Sequence, residues 1–257
     1  MRLSVIVPVF NERQTLPLLL ATVARALPEA EKEILIIDDC SSDGTREWLK
    51  ASLGAAERHA SRLDLDESGN LILEGRPGPG TIALRPFYHE RNLGKGGGIQ
   101  TGLAAATGDI IVIQDADLEY DPQDWGPMYD LIAVRKVADV VYGSRFFGRP
   151  HRSLYFHHYL ANRLISLVFN LLYNQTLSDV EVGYKMFTRA VRDSLNITCN
   201  DFGCEIQIGA QICQARKWRI YEVGIHYYGR TYAEGKKINW KDGVKAFWYL
   251  LKFRIVR

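Results

Sequence analysis

Asp109-Ile110-Ile111-Val112-Ile113-Gln114-Asp115-Ala116-Asp117-Leu118-Glu119 is the stretch from which the rest of the chain can be read. Ile110 to Ile113 form an unbroken, β-prone apolar run, as in a strand covered on both faces. Polar residues follow at once and offer three acids at alternate positions. Alternate side chains of an extended segment project to one side, so Asp115, Asp117 and Glu119 are expected to crowd together. Like charges that close repel unless a cation lies between them. Hard divalent ions with oxygen ligands suit such a place and commonly bridge to phosphates. A lone Asp-x-Asp is equally a solvated acidic loop, so the choice depends on its surroundings.

Upstream, the chain alternates strand and helix. Leu3–Val7 is a short apolar strand ended by Pro8-Val9-Phe10-Asn11-Glu12. Thr15 is placed to cap a helix with Pro17 in its first turn, and Leu16, Leu19, Leu20, Val23 and Leu27 recur at helical spacing. Glu33–Ile37 is a second strand ending in Asp38-Asp39, and Ser41–Gly44 leads into a helix through Leu53. Residues 55–80 break the rhythm and read as an inserted hairpin with a Gly/Pro loop. A strand near Ile82–Pro86 precedes Asn92-Leu-Gly-Lys-Gly-Gly-Gly98, which opens a helix to about Thr107. A helix is expected after Pro122, and a strand over Asp139–Tyr142 leads to Gly143-Ser144-Arg145. This pattern predicts an α/β fold with a mostly parallel central sheet flanked by helices. In such sheets ligands bind outside the carboxyl ends of the strands, where all five polar loops would lie.

The later part is different. Leu160, Leu164, Leu167, Val168, Leu171 and Leu172 form one helical stripe, opposite Arg163, Ser166, Asn170 and Asn174. Residues 222–228 suggest another strand. The end is a basic amphipathic helix with Trp240, Val244, Phe247, Trp248, Leu251 and Ile255 on one side. One domain over 1–257 is expected, with halves at 1–145 and 146–257 that differ in pattern. Amphipathic helices are expected in the latter.

A net charge of +2 gives no global field that would argue for nucleic acid. Cys40, Cys199, Cys204 and Cys213 form no CxxC pair, so free thiols in a reducing compartment are expected. Met1–Ser4 leads straight into a strand, too short for a signal peptide, and no apolar run approaches the roughly 18–20 residues of a membrane span. A cytoplasmic protein, free or peripheral at the cytoplasmic membrane face, is the expectation.

Val5-Ile-Val-Pro-Val-Phe-Asn-Glu12, Ile37-Asp-Asp39, Asp43-Gly-Thr45, Asn92-Leu-Gly-Lys-Gly96, Asp115-Ala-Asp117-Leu118 and Gly143-Ser-Arg145 occur in this order. Together they resemble the inverting family-two glycosyltransferases, most closely the dolichol-phosphate mannose synthase branch. The resemblance runs from Ser4 to about Gly243. It implies a GT-A fold, a GDP- or UDP-linked sugar donor, Mg2+ or Mn2+, and a polyprenyl phosphate acceptor at a membrane surface. A membrane partner subunit is a further implication.

By motif, the resemblance implies that Pro8, Phe10, Asn11, Glu12 and Lys95 line the nucleotide-sugar pocket and that Asp39 meets the base. It assigns Asp115 and Asp117 to the metal, with Glu119 where the branch often has glutamine. Arg145 matches the arginine that meets the acceptor phosphate. Arg230 and Lys236 match a late arginine and a late lysine near the phosphates. Lys185 stands where arginine is usual, which would turn a bidentate phosphate contact into a point charge.

The expected chemistry is a single displacement at the anomeric carbon, with Asp117, Arg145 and Asp179 as the catalytic set. Arg145 and Arg152 would hold a phosphate acceptor. A hydroxyl acceptor would need a general base, for which Asp179 or Glu181 could serve. A carbohydrate or small-molecule hydroxyl acceptor is therefore the alternative, and a non-catalytic nucleotide-sugar-binding subunit a more remote one. Leu154–Leu160 and the C-terminal segment 236–257, with seven Lys or Arg against Asp242, are the candidate membrane contacts.

Overall fold

Apolar runs separated by helical repeats can pair in parallel only through crossovers, and the chain does so. The computed structural model describes residues 1–75, 80–148, 150, 152–153, 155–231, 234 and 240–255, without the side chains of 240–242. The first half contains β1 (Arg2–Val9), α1 (Leu16–Arg25), β2 (Glu31–Asp38), α2 (Thr45–Leu53), β3 (Arg58–Ala60), β4 (Arg62–Leu65), β5 (Leu71–Glu74), β6 (Ile82–Tyr88), α3 (Gly94–Ala105), β7 (Ile110–Ile113), α4 (Trp125–Tyr129) and β8 (Val140–Ser144). Then come α5 (Phe156–Tyr173), β9 (Lys185–Thr188), α6 (Arg189–Arg192), α7 (Cys204–Gln214), β10 (Ile220–Gly224) and α8 (Trp240–Ile255).

The main sheet has the order β10-β8-β9-β7-β1-β2-β6-β3. Strand β1 pairs in parallel with β2 and β7, β2 with β6, and β8 with β10. The exceptions are β9, antiparallel to both neighbours, and the edge strand β3, antiparallel to β6. The expected mostly parallel α/β sheet is therefore present, and the loops after β1, β2, β6, β7 and β8 share one rim. The inserted hairpin is present too. Strands β4 and β5 form their own two-stranded sheet, and β3 joins the main one.

Burial follows the apolar runs. All four residues of β7 and most of β1 and β2 have no exposed surface. Trp125, at the start of α4, is fully buried. Its replacement by alanine is expected to cost about 3–5 kcal/mol, read as a lower midpoint in urea unfolding.

One local expectation changes. Thr15 does precede α1, but its hydroxyl donates to the Glu12 carboxylate at 2.7 Å rather than capping the helix. In α5 the leucine stripe largely faces outward, with Leu160, Leu164, Leu167 and Leu171 exposed. Ile165, Ser166, Phe169 and Tyr173 form the buried face, packed towards α7 and α8. Rings stacked as Phe169 and Tyr173 are, with centroids 4.4 Å apart, bury more area than leucines, which decides the orientation. Helix α8 behaves alike: Ala246, Leu250 and Phe253 are buried, while Val244, Trp248, Leu251 and Ile255 are exposed. Among the described residues no helix is long and apolar enough to cross a membrane.

Candidate active site

All five polar loops border one cleft of about 1560 Å³. Pro8, Phe10, Glu12, Asp39 and Lys95 line it from the first three loops, and Asp115, Asp117, Glu119 and Arg145 from the last two. Arg152, Glu181, Glu205 and Arg230 close it from the second half. Aromatic and apolar side chains also line it, among them Phe146, Tyr155, Phe156, Tyr159, Val244 and Phe247.

The acidic corner is a turn, not an extended strand. The ladder of β7 ends at Ile113, and Leu118 takes φ 63°, the left-handed region that a branched side chain rarely adopts. Strict alternation is therefore lost, and the acids take cationic partners. Lys95 Nζ lies 2.7 Å from Asp115 Oδ1, and Arg230 Nη2 lies 3.2 Å from Asp117 Oδ2. Glu119 Oε1 accepts from the Arg230 backbone N–H at 2.8 Å. The expected extended geometry is thus corrected, while Asp115 and Glu119 stay near enough to act on Asp117. Among the described residues, no three acid, histidine or cysteine side chains are gathered as a ready metal cluster.

A divalent cation still fits the chemistry here. The donors are hard carboxylate oxygens. Burial, with Asp115 and Glu119 adding to it, pushes the Asp117 carboxyl up from 3.8 to about 7, and Arg230 only partly opposes this. Negative charge at this corner is under-compensated, so an added cation would be stabilised.

Arg230 owes its position to the strand end before it. The His226 backbone N–H donates to Asp124 Oδ2 at 2.7 Å, and its ring Nδ1 lies 2.6 Å from Oδ1. Tyr227 bridges Tyr120, and the Tyr228 N–H donates to the Glu119 carbonyl at 2.9 Å. The chain is thereby laid along the acidic turn and delivers Arg230 between Glu12, Asp117 and Glu119.

The glycine run is built for contact rather than looseness. The Gly96 N–H donates to the Asn200 carbonyl at 2.8 Å, and a Cβ there would lie 2.0 Å from the Cys199 oxygen. Across the cleft, a Cβ on Gly183 would sit 2.4 Å from Asp115 Oδ2. Asp39, expected at the base, is buried and already accepts from the N–H groups of Leu93 and Gly94 and lies 2.7 Å from His89 Nδ1. It anchors the Asn92–Gly98 loop, and one of its roughly four acceptor positions remains for a ligand.

The remaining expected residues divide. Asn11 is outside the cleft lining. With φ 54°, it accepts from the Ser42 N–H at 2.8 Å and ties two rim loops together. Arg145 lines the cleft and is gripped by Asp179, with Nε–Oδ2 and Nη2–Oδ1 both 2.6 Å. Burial works against the arginine's charge, and Asp179 outweighs it, keeping Arg145 firmly protonated. Asp179 itself has no exposed surface; its carboxylate also accepts from the Arg145 backbone N–H at 3.1 Å, and its own N–H donates to Glu222 Oε1 at 3.2 Å. Arg152 reaches Glu234 at 2.6 Å. Lys185, expected at the acceptor, is fully buried, outside the cleft lining, and donates to Glu205 and the Val182 carbonyl. Lys236 and Leu154 lie outside the described residues. Glu205 was not foreseen. Its signal is an acid in the first turn of an otherwise uncharged helix, α7.

Glu181 borders the cleft near Arg145, Asp179, Lys185 and Glu205. Burial, partly offset by Arg145, pushes its carboxyl up to about 7.

The model of the family described as Glycosyl transferase family 2 matches residues 4–58 and 79–196. The gap between these stretches coincides with the β4–β5 hairpin. The undecaprenyl-phosphate 4-deoxy-4-formamido-L-arabinose transferase of Yersinia enterocolitica serotype O:8 / biotype 1B is 24% identical over 237 residues, covering 91% of this chain and 62% of that protein. Its namesake from Salmonella choleraesuis (strain SC-B67) is 25% identical over 239 residues, with the same two coverages. The chain thus spans about three fifths of the length of these relatives, 62%. Among solved structures, glucosyl-3-phosphoglycerate synthase from Mycobacterium tuberculosis with Mn2+, UDP and phosphoglyceric acid superposes with a TM-score of 0.69 at 17% identity, covering 100% of this chain and 79% of that one. At that identity the likeness speaks for the fold alone.

Proposed function

This chain belongs to glycosyl transferase family 2, and from that premise we propose that it moves a sugar from a GDP- or UDP-linked donor to a polyprenyl phosphate. The observation that carries this reading is the lining of the cleft. Acids and cations from the strand-end loops share one cleft with aromatic and apolar residues of α5 and α8. A phosphate head on a hydrocarbon tail matches that mixed lining. The two curated relatives, named for undecaprenyl phosphate, agree with it.

Asp115 and Asp117, with Glu119 beside them, would hold Mg2+ or Mn2+, which supplies positive charge against the leaving diphosphate. Arg230 and Lys95 stand ready to exchange a carboxylate partner for diphosphate oxygens, and Pro8, Phe10 and Glu12 would flank the nucleoside. Arg145 and Arg152 would hold the acceptor phosphate. A phosphate monoester has a second pKa near 6 and is largely dianionic at pH 7, so it attacks the anomeric carbon without a base. The carbon–oxygen bond to the nucleoside diphosphate breaks as the new one forms, and configuration inverts. Asp179 then serves as the positioning residue for Arg145 rather than as a base.

Helices α5 and α8 carry exposed apolar side chains, and Phe156, Tyr159 and Val244 among them also line the cleft. Exposed apolar surface of this kind marks a contact site. With Lys245, Lys252 and Arg254 on α8, it supports reversible docking on an anionic cytoplasmic membrane face. Sheet strands from both halves share one layer, which supports a single catalytic unit over 1–257.

A second reading, transfer to a hydroxyl acceptor, is favoured by Glu181, a cleft carboxyl whose pKa near 7 suits a general base. Labelled GDP- and UDP-sugars, offered with Mn2+ and short polyprenyl phosphates, distinguish the readings. Label entering lipid is expected, with Glu181→Gln within a few-fold of wild type. Label in a soluble product, with Glu181→Gln slowed by roughly 100-fold or more, would favour the hydroxyl route. Donor binding without turnover would reject both.

A further inference from the structure

Two lysines share one glutamate behind the acidic corner. Lys185 is fully buried and donates to Glu205 and the Val182 carbonyl. The other oxygen of Glu205, Oε1, lies 3.0 Å from Lys95 Nζ, whose second partner is Asp115 Oδ1 at 2.7 Å. Charge therefore alternates along a row: Lys185, Glu205, Lys95, Asp115. Glu205 occupies the first turn of α7, where the helix N-terminus favours an anion. Burial pushes its carboxyl up, but Lys185 and Lys95 outweigh that and hold it below the usual carboxylate range. The glutamate is a fixed anion, and Lys95 is the only member of the row bonded on both sides to a cleft-lining acid.

Asp115 cannot serve Lys95 and a divalent cation equally, because the two positive charges repel. The geometry points to Glu205, anchored by Lys185, as the positioning residue that retains Lys95 when a cation takes Asp115. The ammonium then leaves the carboxylate without leaving the diphosphate site, and its charge becomes available to the donor. This also accounts for the lysine at 185. Its work is to fix Glu205, and it stands behind the site rather than at the acceptor. The inference rests on Asp115 and Asp117 as cation ligands.

Mn2+ binding to the donor-free protein, followed by electron paramagnetic resonance, tests it without turnover. Removing Lys185 and Glu205 together, as Lys185→Met with Glu205→Gln, strands no buried charge. This double variant is expected to bind Mn2+ roughly tenfold more weakly, the scale of losing a supporting contact behind a metal ligand, because Lys95 now stays on Asp115. Adding Lys95→Met should restore wild-type affinity, since the competitor is gone. Damage to the fold alone would weaken both variants alike. Wild-type affinity in the double variant, or no recovery in the triple, overturns the inference while leaving the cation site intact. A wild-type protein that bound no Mn2+ would remove the cation site, and the inference with it.

Discussion

Asp117→Ala is expected to slow sugar transfer by at least roughly 100-fold, the scale at which lost transition-state electrostatics shows. Asp117 stands where burial and two neighbouring acids hold its carboxyl up to about 7, so it gains most from an added cation. Steady-state turnover with and without EDTA measures this. Near-wild-type rates in the variant, or rates indifferent to EDTA, would end the metal assignment. A second measurement needs no substrate. Between 3.8 and about 7, the folded metal-free protein keeps a proton on Asp117 that the unfolded chain gives up, so this residue's contribution to stability falls as pH rises. Asp117→Asn should therefore gain melting temperature relative to wild type across that window, and a constant difference would contradict the raised pKa.

The other large effect concerns Arg145. Simple truncation to alanine would leave Asp179, with no exposed surface, as an uncompensated buried charge, a cost of about 3–5 kcal/mol. The informative variant is the charge-matched pair Arg145→Gln with Asp179→Asn. It is expected to fold and to bind donor within a few-fold of wild type by calorimetry. Its acceptor KM should rise roughly tenfold or more, as losing a charged contact of about 1.5–3 kcal/mol implies. Donor affinity falling in step with acceptor use would place Arg145 on the wrong substrate.

Much of the architecture could be read from the chain because parallel strands buried on both faces leave uninterrupted runs such as Ile110–Ile113, and each run ends in a polar loop. The hairpin at 55–80 was legible as a break in rhythm. Hydrophobic period marks a stripe in α5 but leaves open which side is buried, and Phe169 and Tyr173 outcompete the leucines. The acidic corner was located correctly, but its shape was not. That required knowing that Leu118 turns left-handed, which nothing in local propensity favours. Lys185 and Asn11 were expected to touch substrate, since residue type advertises charge or polarity and hides partners. Only the fold reveals that Glu205 and Ser42 already claim them.

Strand β9 runs against the grain of the sheet, between two strands that came earlier in the chain. Ile111 faces Phe187 on one side, and Val140 faces the same residue on the other. A bilobed enzyme can swing open along a seam and shut over its cargo. This molecule is stitched through the seam, and parting it would unzip hydrogen bonds on both edges of β9 at once. Loading and unloading must then rely on rim loops and side chains changing partners, so the pace of the catalytic cycle should follow small local rearrangements rather than the tumbling of lobes.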